Sequence, residues 1–215
     1  MDPNNCGETS RSGKLNKSDK LIIVMHEIYG VNQHIKTYCN HFAKLGYEVF
    51  CPNLLNKEQP FPYDQEETAY QYFTNEIGFL KARDKINIII KENREKYKKI
   101  YLVGFSVGAT ISWLCSNVND VDGVIGYYGS RIRNYMNVYP KCPVLLFFPE
   151  KEEAFDVDDI NPKLIEKNVE VHKFEGKHGF SDRFSMKYNK HSAEAAFQIV
   201  VDFLESLDVR NIPIN

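Results

Sequence analysis

The feature that most constrains this chain is the stretch Ile100-Tyr101-Leu102-Val103-Gly104-Phe105-Ser106-Val107-Gly108-Ala109-Thr110. Its short apolar, β-branched opening is the mark of a buried strand, and Ala109-Thr110-Ile111-Ser112-Trp113-Leu114 has helical spacing. Between the two lies Gly104-x-Ser106-x-Gly108. A serine on so sharp a strand-to-helix turn is held in a strained conformation, with its hydroxyl exposed at the top of a sheet. A Cβ at either flanking glycine would strike the neighbouring strand or helix. The turn also sets the Val107 amide at a helix N-terminus, where it can stabilise an oxyanion. Ser106 is therefore the candidate nucleophile; the plain alternative is a glycine-flanked loop.

Around this turn, strands are predicted at 21–25, 47–51, 123–127, 143–148 and 169–174. Helices are predicted at 33–45, with Gly46 suiting the C-cap, at 65–97 with a break near Gly78, at 162–167 and at 192–207. Strands that alternate with helices imply a mostly parallel central sheet covered by helices on both faces. The segment 52–64 carries Pro52, Pro60 and Pro62 and reads as a loop of the kind that borders active sites. Residues 1–18 read as a polar, mobile tail and 210–215 as a C-terminal tail, around a single domain at 19–209.

The balance of 27 basic against 29 acidic residues suggests neither a nucleic-acid nor an anionic-membrane partner. No apolar run approaches the length of a membrane span, and no basic-then-apolar leader opens the chain. The five cysteines are odd in number and irregular in spacing, with no C-x-x-C pair. Reduced thiols in a cytoplasmic protein fit that pattern better than a disulfide framework or a zinc site, with Cys51, Cys115 and Cys142 as small core residues.

Serine is a poor nucleophile unless a base lies within hydrogen-bond reach and an acid orients that base. In α/β-hydrolase enzymes the chain order is Ser, acid, His. Ser106 follows one strand, a cluster of carboxylates follows a later one, and His178 follows the last, so all three would face the crevice at the carboxyl ends of the strands. His178 is the best base of the six histidines. His26 also sits at a strand end, but His34, His41 and His191 lie in helical or polar surroundings and His172 lies inside a strand. Glu150, Glu152, Glu153, Asp156, Asp158 and Asp159 crowd the loop that should supply the acid, and spacing does not choose among them. Such chemistry needs no metal and no organic cofactor.

His26-Glu27-Ile28-Tyr29-Gly30, Gly104-Phe105-Ser106-Val107-Gly108 and Lys177-His178-Gly179-Phe180 resemble the three signature segments of the dienelactone hydrolase family, with fitting spacing from about Leu21 to Leu207. The resemblance implies an α/β-hydrolase fold. It also implies that Glu27 contacts the nucleophile and that Ile28 donates an oxyanion-hole amide beside Val107. The family's acid, usually Asp in Gly-x-x-Asp, corresponds to Glu152 in Pro149-Glu150-Lys151-Glu152, one methylene longer, with Glu153 and Asp156 as alternatives. Ser106 stands where the family usually carries Cys, which favours general ester hydrolysis over the namesake lactone reaction. The family's namesake enzyme holds a substrate carboxylate with arginines, and Arg183, Arg83 and Arg131 are the candidates here.

The reading that follows is a cytoplasmic serine hydrolase, monomer or homodimer, acting on a small ester, lactone or thioester. A non-catalytic binding or regulatory protein of the same fold is the alternative, and a peptidase is a third reading.

Overall fold

The computed structural model describes residues 18–209. Apart from residue 18, the two tails expected from the sequence lie outside the described residues. Among the described residues, six parallel strands form one sheet: β1 (Lys20–Met25), β2 (Glu48–Phe50), β3 (Lys99–Phe105), β4 (Gly123–Tyr127), β5 (Val144–Lys151) and β6 (Val169–Lys177). Their order across the sheet is β2-β1-β3-β4-β5-β6. The six main helices are α1 (Gln33–Lys44), α2 (Glu66–Tyr72), α3 (Phe79–Arg94), α4 (Val107–Cys115), α5 (Asn161–Ile165) and α6 (Lys190–Val209).

Side chains alternate across a strand, and here the alternation divides the core in two. Leu21, Ile23 and Met25 of β1 pack on one face with Ile86 and Ile90 of α3 and Ile111 and Trp113 of α4. Ile22 and Val24 pack on the other face with Ile35, Tyr38 and Phe42 of α1 and Val200 and Leu204 of α6. Strands buried on both sides read as continuous apolar runs, which is why β1, β3 and β4 were visible in the sequence.

Local signals set the helix ends. Asn32 caps α1, its Oδ1 accepting from the Ile35 amide at 3.1 Å, and Gly46 follows the helix at φ 90°. The helical stretch after residue 65 breaks at Gly78, whose φ of 71° ends a π-helical turn, Phe73–Ile77.

Two strands run past their expected ends. β5 continues to Lys151 and β6 to Lys177, with the pairing Lys151↔Lys177 beyond an irregularity at Pro149/Lys151. The added residues are largely polar and exposed, held by backbone pairing rather than burial, so apolar patterning missed them. The extension has a consequence for the site: the residues that follow this last pair are Glu152 and His178.

The turn between β3 and α4 tolerates no side chain at its glycines. A Cβ on Gly108 would lie 2.3 Å from the Met25 carbonyl oxygen, and one on Gly104 would lie 2.2 Å from the Gly108 oxygen. The obstacles are backbone, so neither can swing aside. Gly108→Ala is expected to lower unfolding free energy by about 3 kcal/mol or more. Urea titration would read this as a lowered midpoint, and an unchanged midpoint would refute the packing argument.

Candidate active site

Ser106 sits between β3 and α4 at φ 53°, ψ −113°, a backbone conformation that L-residues rarely adopt. Its amide donates to the Tyr127 carbonyl at 2.9 Å, tying the turn to the end of β4. Its own carbonyl accepts from Ala109 and Thr110, at 3.1 and 3.2 Å, starting α4. Val107 is the first residue of that helix, so its N–H is one of the donors with no partner in the helix's own ladder.

His178 leaves the end of β6 and bridges two groups. Its Nε2 lies 2.8 Å from Ser106 Oγ and its Nδ1 lies 2.9 Å from Glu152 Oε2. A carboxylate only accepts, so the ring proton belongs on Nδ1 and Nε2 is left to accept from the serine hydroxyl. The Glu152 side chain is 4% exposed and that of His178 30%, so the carboxylate is screened from water while the imidazole stays reachable. The Tyr128 ring packs against the imidazole with centroids 5.0 Å apart.

The carboxylates left open by the sequence part ways here. The Glu153 side chain is 86% exposed and 3.8 Å from Lys177. Asp156 accepts from the Asp158 amide at 2.9 Å, capping the short 3-10 turn Val157–Asp159. Of the three weighed, Glu152 is the one hydrogen-bonded to His178.

Glu27 and Ile28 lie in the turn after β1, closed by a Gly30 N–H to Glu27 carbonyl bond of 3.2 Å. The carbonyl oxygens of Met25 and His26 abut Gly108, so this turn packs against the first turn of α4. The Glu27 carboxyl lies near enough to the Tyr128 hydroxyl to be drawn toward its charged form, whereas the hydrogen bond at Ser106 Oγ goes to His178. Burial, aided by the negative charge of Asp182, pushes the Glu27 carboxyl up to about 8.

The pH consequence has a definite sign. Between its ordinary value of 4.5 and about 8, folded Glu27 keeps a proton that the unfolded chain has lost. Stability is therefore fullest below the lower value and falls as pH rises to the upper one, by a few kcal/mol on the scale of about 1.4 per pKa unit. Glu27→Gln copies the neutral acid and is expected to flatten that decline in urea titrations at pH 5 and pH 8.5. Equal declines in both proteins would contradict it.

Tyr128 and the segment after His178 form a group that the sequence reading did not single out. The Tyr128 hydroxyl lies 2.9 Å from Ser181 Oγ and 3.5 Å from His34 Nε2. Tyr63, from the proline-bearing loop, donates to Asp182 at 2.5 Å and accepts from Asn32 at 3.2 Å. Burial pushes the His34 imidazole down to about 4, against the opposing pull of Asp182. The signal for Tyr128 was there: Tyr127-Tyr128 sits between glycines at the end of a strand, and Tyr128 adopts a φ of 44°.

The three arginine candidates are scattered. Arg83 pairs with its neighbour Asp84 at 2.7 Å, and its carbonyl meets the Cys115 thiol at 3.9 Å. Cys115 ends α4, roughly 12 Å along the axis from Val107 at about 1.5 Å per residue. Arg83 therefore belongs to the far end of the helix and not beside Ser106, because its position on α3 faces the C-terminus of α4. Arg183 is exposed against the Phe184 ring. Arg131 donates to the Tyr70 hydroxyl. Arg133 was not a sequence candidate; it stacks on Phe155 with 5.0 Å to the ring centroid and lies near enough to Glu152 to feel its charge.

Among the described residues, no group of three or more His, Cys, Asp or Glu side chains is placed to hold a metal ion, and no helix is long and apolar enough to cross a membrane.

The sequence profile of the dienelactone hydrolase family matches residues 11–207. The chain belongs to the dienelactone hydrolase family. It is 42% identical over 173 residues to YczH of Bacillus subtilis (strain 168), covering 79% of this chain and 85% of that one. It is 28% identical over 210 residues to a carboxymethylenebutenolidase of Pseudomonas putida, covering 87% and 86%. Among solved structures, the dienelactone hydrolase-like promiscuous phosphotriesterase P91 from metagenomic libraries superposes with a TM-score of 0.71 at 12% identity, covering 90% of this chain and 88% of that chain. Est1E from Butyrivibrio proteoclasticus superposes at 0.64 and 12% identity, covering 90% of each. At those identities the structures share the α/β-hydrolase fold with this family member, and that likeness speaks for the fold alone.

Proposed function

We propose that this dienelactone hydrolase family member is a serine hydrolase that cleaves a small ester, lactone or thioester through an acyl-enzyme. The observation that carries the reading is the single imidazole bridging Ser106 Oγ at 2.8 Å and Glu152 at 2.9 Å. Ser106 Oγ attacks the carbonyl carbon as His178 Nε2 takes its proton. Glu152 holds the imidazole in the required tautomer and stabilises the imidazolium that forms. The amides of Val107 and Ile28 receive the tetrahedral oxyanion, each worth about 3 kcal/mol of barrier. The imidazolium then protonates the leaving oxygen or sulfur, and water repeats the sequence on the acyl-serine, restoring Ser106.

The Pseudomonas putida relative's printed name puts a butenolide, an unsaturated lactone, among the substrates to test. Arg131 and Arg183 stand as the remaining candidates for a substrate carboxylate. The reduced thiols of Cys115 and Cys142, with no disulfide among the described residues, accord with a cytoplasmic setting.

An acyl-enzyme has a kinetic signature. With methanol competing against water, phenyl and ethyl esters of one acid must divide between methyl ester and free acid in the same ratio, because both pass through the same acyl-serine. Ratios that depend on the leaving group would defeat the acyl-enzyme reading.

A further inference from the structure

His26 is buried at the end of β1 and is not among the residues that the proposed chemistry uses. Its two ring nitrogens are both engaged. The Leu54 amide, from the proline-bearing loop, donates to Nε2 at 3.0 Å. A backbone N–H only donates, so Nε2 carries the lone pair and the ring proton is on Nδ1. That Nδ1 lies 2.6 Å from the Glu27 carbonyl oxygen, which Gly30 N–H also approaches at 3.2 Å.

The Glu27 carbonyl and the Ile28 N–H belong to one peptide unit. The unit is planar and trans, so the two bonds point in opposite directions, and whatever fixes the oxygen fixes the N–H. Donors on the oxygen also polarise the peptide and strengthen its N–H as a donor. We infer that His26 is a positioning residue that locks the Glu27–Ile28 peptide so that the Ile28 N–H is preorganised for the oxyanion, and that its second nitrogen ties this lock to Leu54 of the loop. The inference rests on the reading of Ile28 as an oxyanion donor. It differs from an ordinary satisfied core histidine in one respect: losing the bond to the Glu27 oxygen must weaken stabilisation of the oxyanion specifically.

Two polar variants separate the two bonds. The Asn side-chain nitrogen overlays Nδ1, so His26→Asn keeps a donor to the Glu27 oxygen and loses the acceptor for Leu54. The longer His26→Gln reaches the Leu54 amide and cannot serve the Glu27 oxygen. The readout is turnover of an aryl ester against its thionoester, in which sulfur replaces the carbonyl oxygen and gains little from N–H donors. With both variants folded by circular dichroism, His26→Gln is expected to lower kcat for the oxygen ester roughly 10- to 100-fold, with KM within about threefold and the thionoester rate nearly unchanged. His26→Asn is expected to keep the wild-type ratio of the two rates within about threefold. Parallel losses on both substrates, or the same ratio in the two variants, would overturn the inference while leaving the hydrolase reading intact. A wild type with no Ser106-dependent turnover of either ester would instead sink that reading, and this inference with it.

Discussion

Ser106→Ala is expected to lower kcat/KM for p-nitrophenyl acetate by roughly 10⁴-fold or more while leaving the melting temperature within about 3 °C of wild type. The two halves of this expectation have different origins. Activity falls because the missing oxygen is the atom that bonds to the acyl carbon, and no nearby hydroxyl occupies the same place against His178 Nε2, 2.8 Å away. Stability hardly moves because the strain at φ 53° is in the backbone and is shared by alanine. The hydrogen bond lost is one to a partly exposed imidazole, and such bonds contribute about 1 kcal/mol. A variant retaining more than a tenth of wild-type turnover would mean that another nucleophile carries the reaction.

Glu152→Gln should be the second largest loss, roughly 10² to 10⁴ in kcat with KM little changed. Glutamine keeps the shape but can present an amide N–H to Nδ1, which favours the wrong tautomer and removes the charge that stabilises imidazolium. Glu152→Asp withdraws the carboxylate by one methylene, opening the 2.9 Å contact, and should fall between wild type and Glu152→Gln, with a loss of about 10- to 100-fold. Glu153→Gln and Asp156→Asn are expected to stay within about twofold of wild type, since surface charges of this kind contribute little. A Glu153→Gln enzyme as impaired as Glu152→Gln would overturn the assignment of the acid.

The site was legible in the sequence wherever its chemistry is local. The Ser106 turn could be read because strand, two glycines and helix are contiguous, and the helix-flanked strands because their faces are buried on both sides. His178 could be read from its place after a strand. Spacing alone did not choose the acid, and only the family resemblance pointed to Glu152, because hydropathy falls away after Phe148 while β5 runs on to Lys151 by backbone pairing. That unseen extension is what puts Glu152 next to His178. Contacts between distant segments were equally hidden: Tyr63 meets Asp182 across 119 positions, and Leu54 meets His26 across 28. The place of Arg83 was hidden for a related reason, since a helix's apolar stripe says which face is buried but not which end of a neighbouring helix it touches. The glycine-flanked Tyr128 was present in the text of the chain, but its role depends on partners from three other segments, Glu27, His34 and Ser181.

The central claim is that Ser106 is an activated nucleophile, and intact-mass labelling with a fluorophosphonate tests it without any knowledge of the substrate. The account predicts one adduct on wild type, none on Ser106→Ala, and strongly slowed labelling of His178→Ala. A well-folded wild type that takes no adduct, or an adduct that persists on Ser106→Ala, would contradict it.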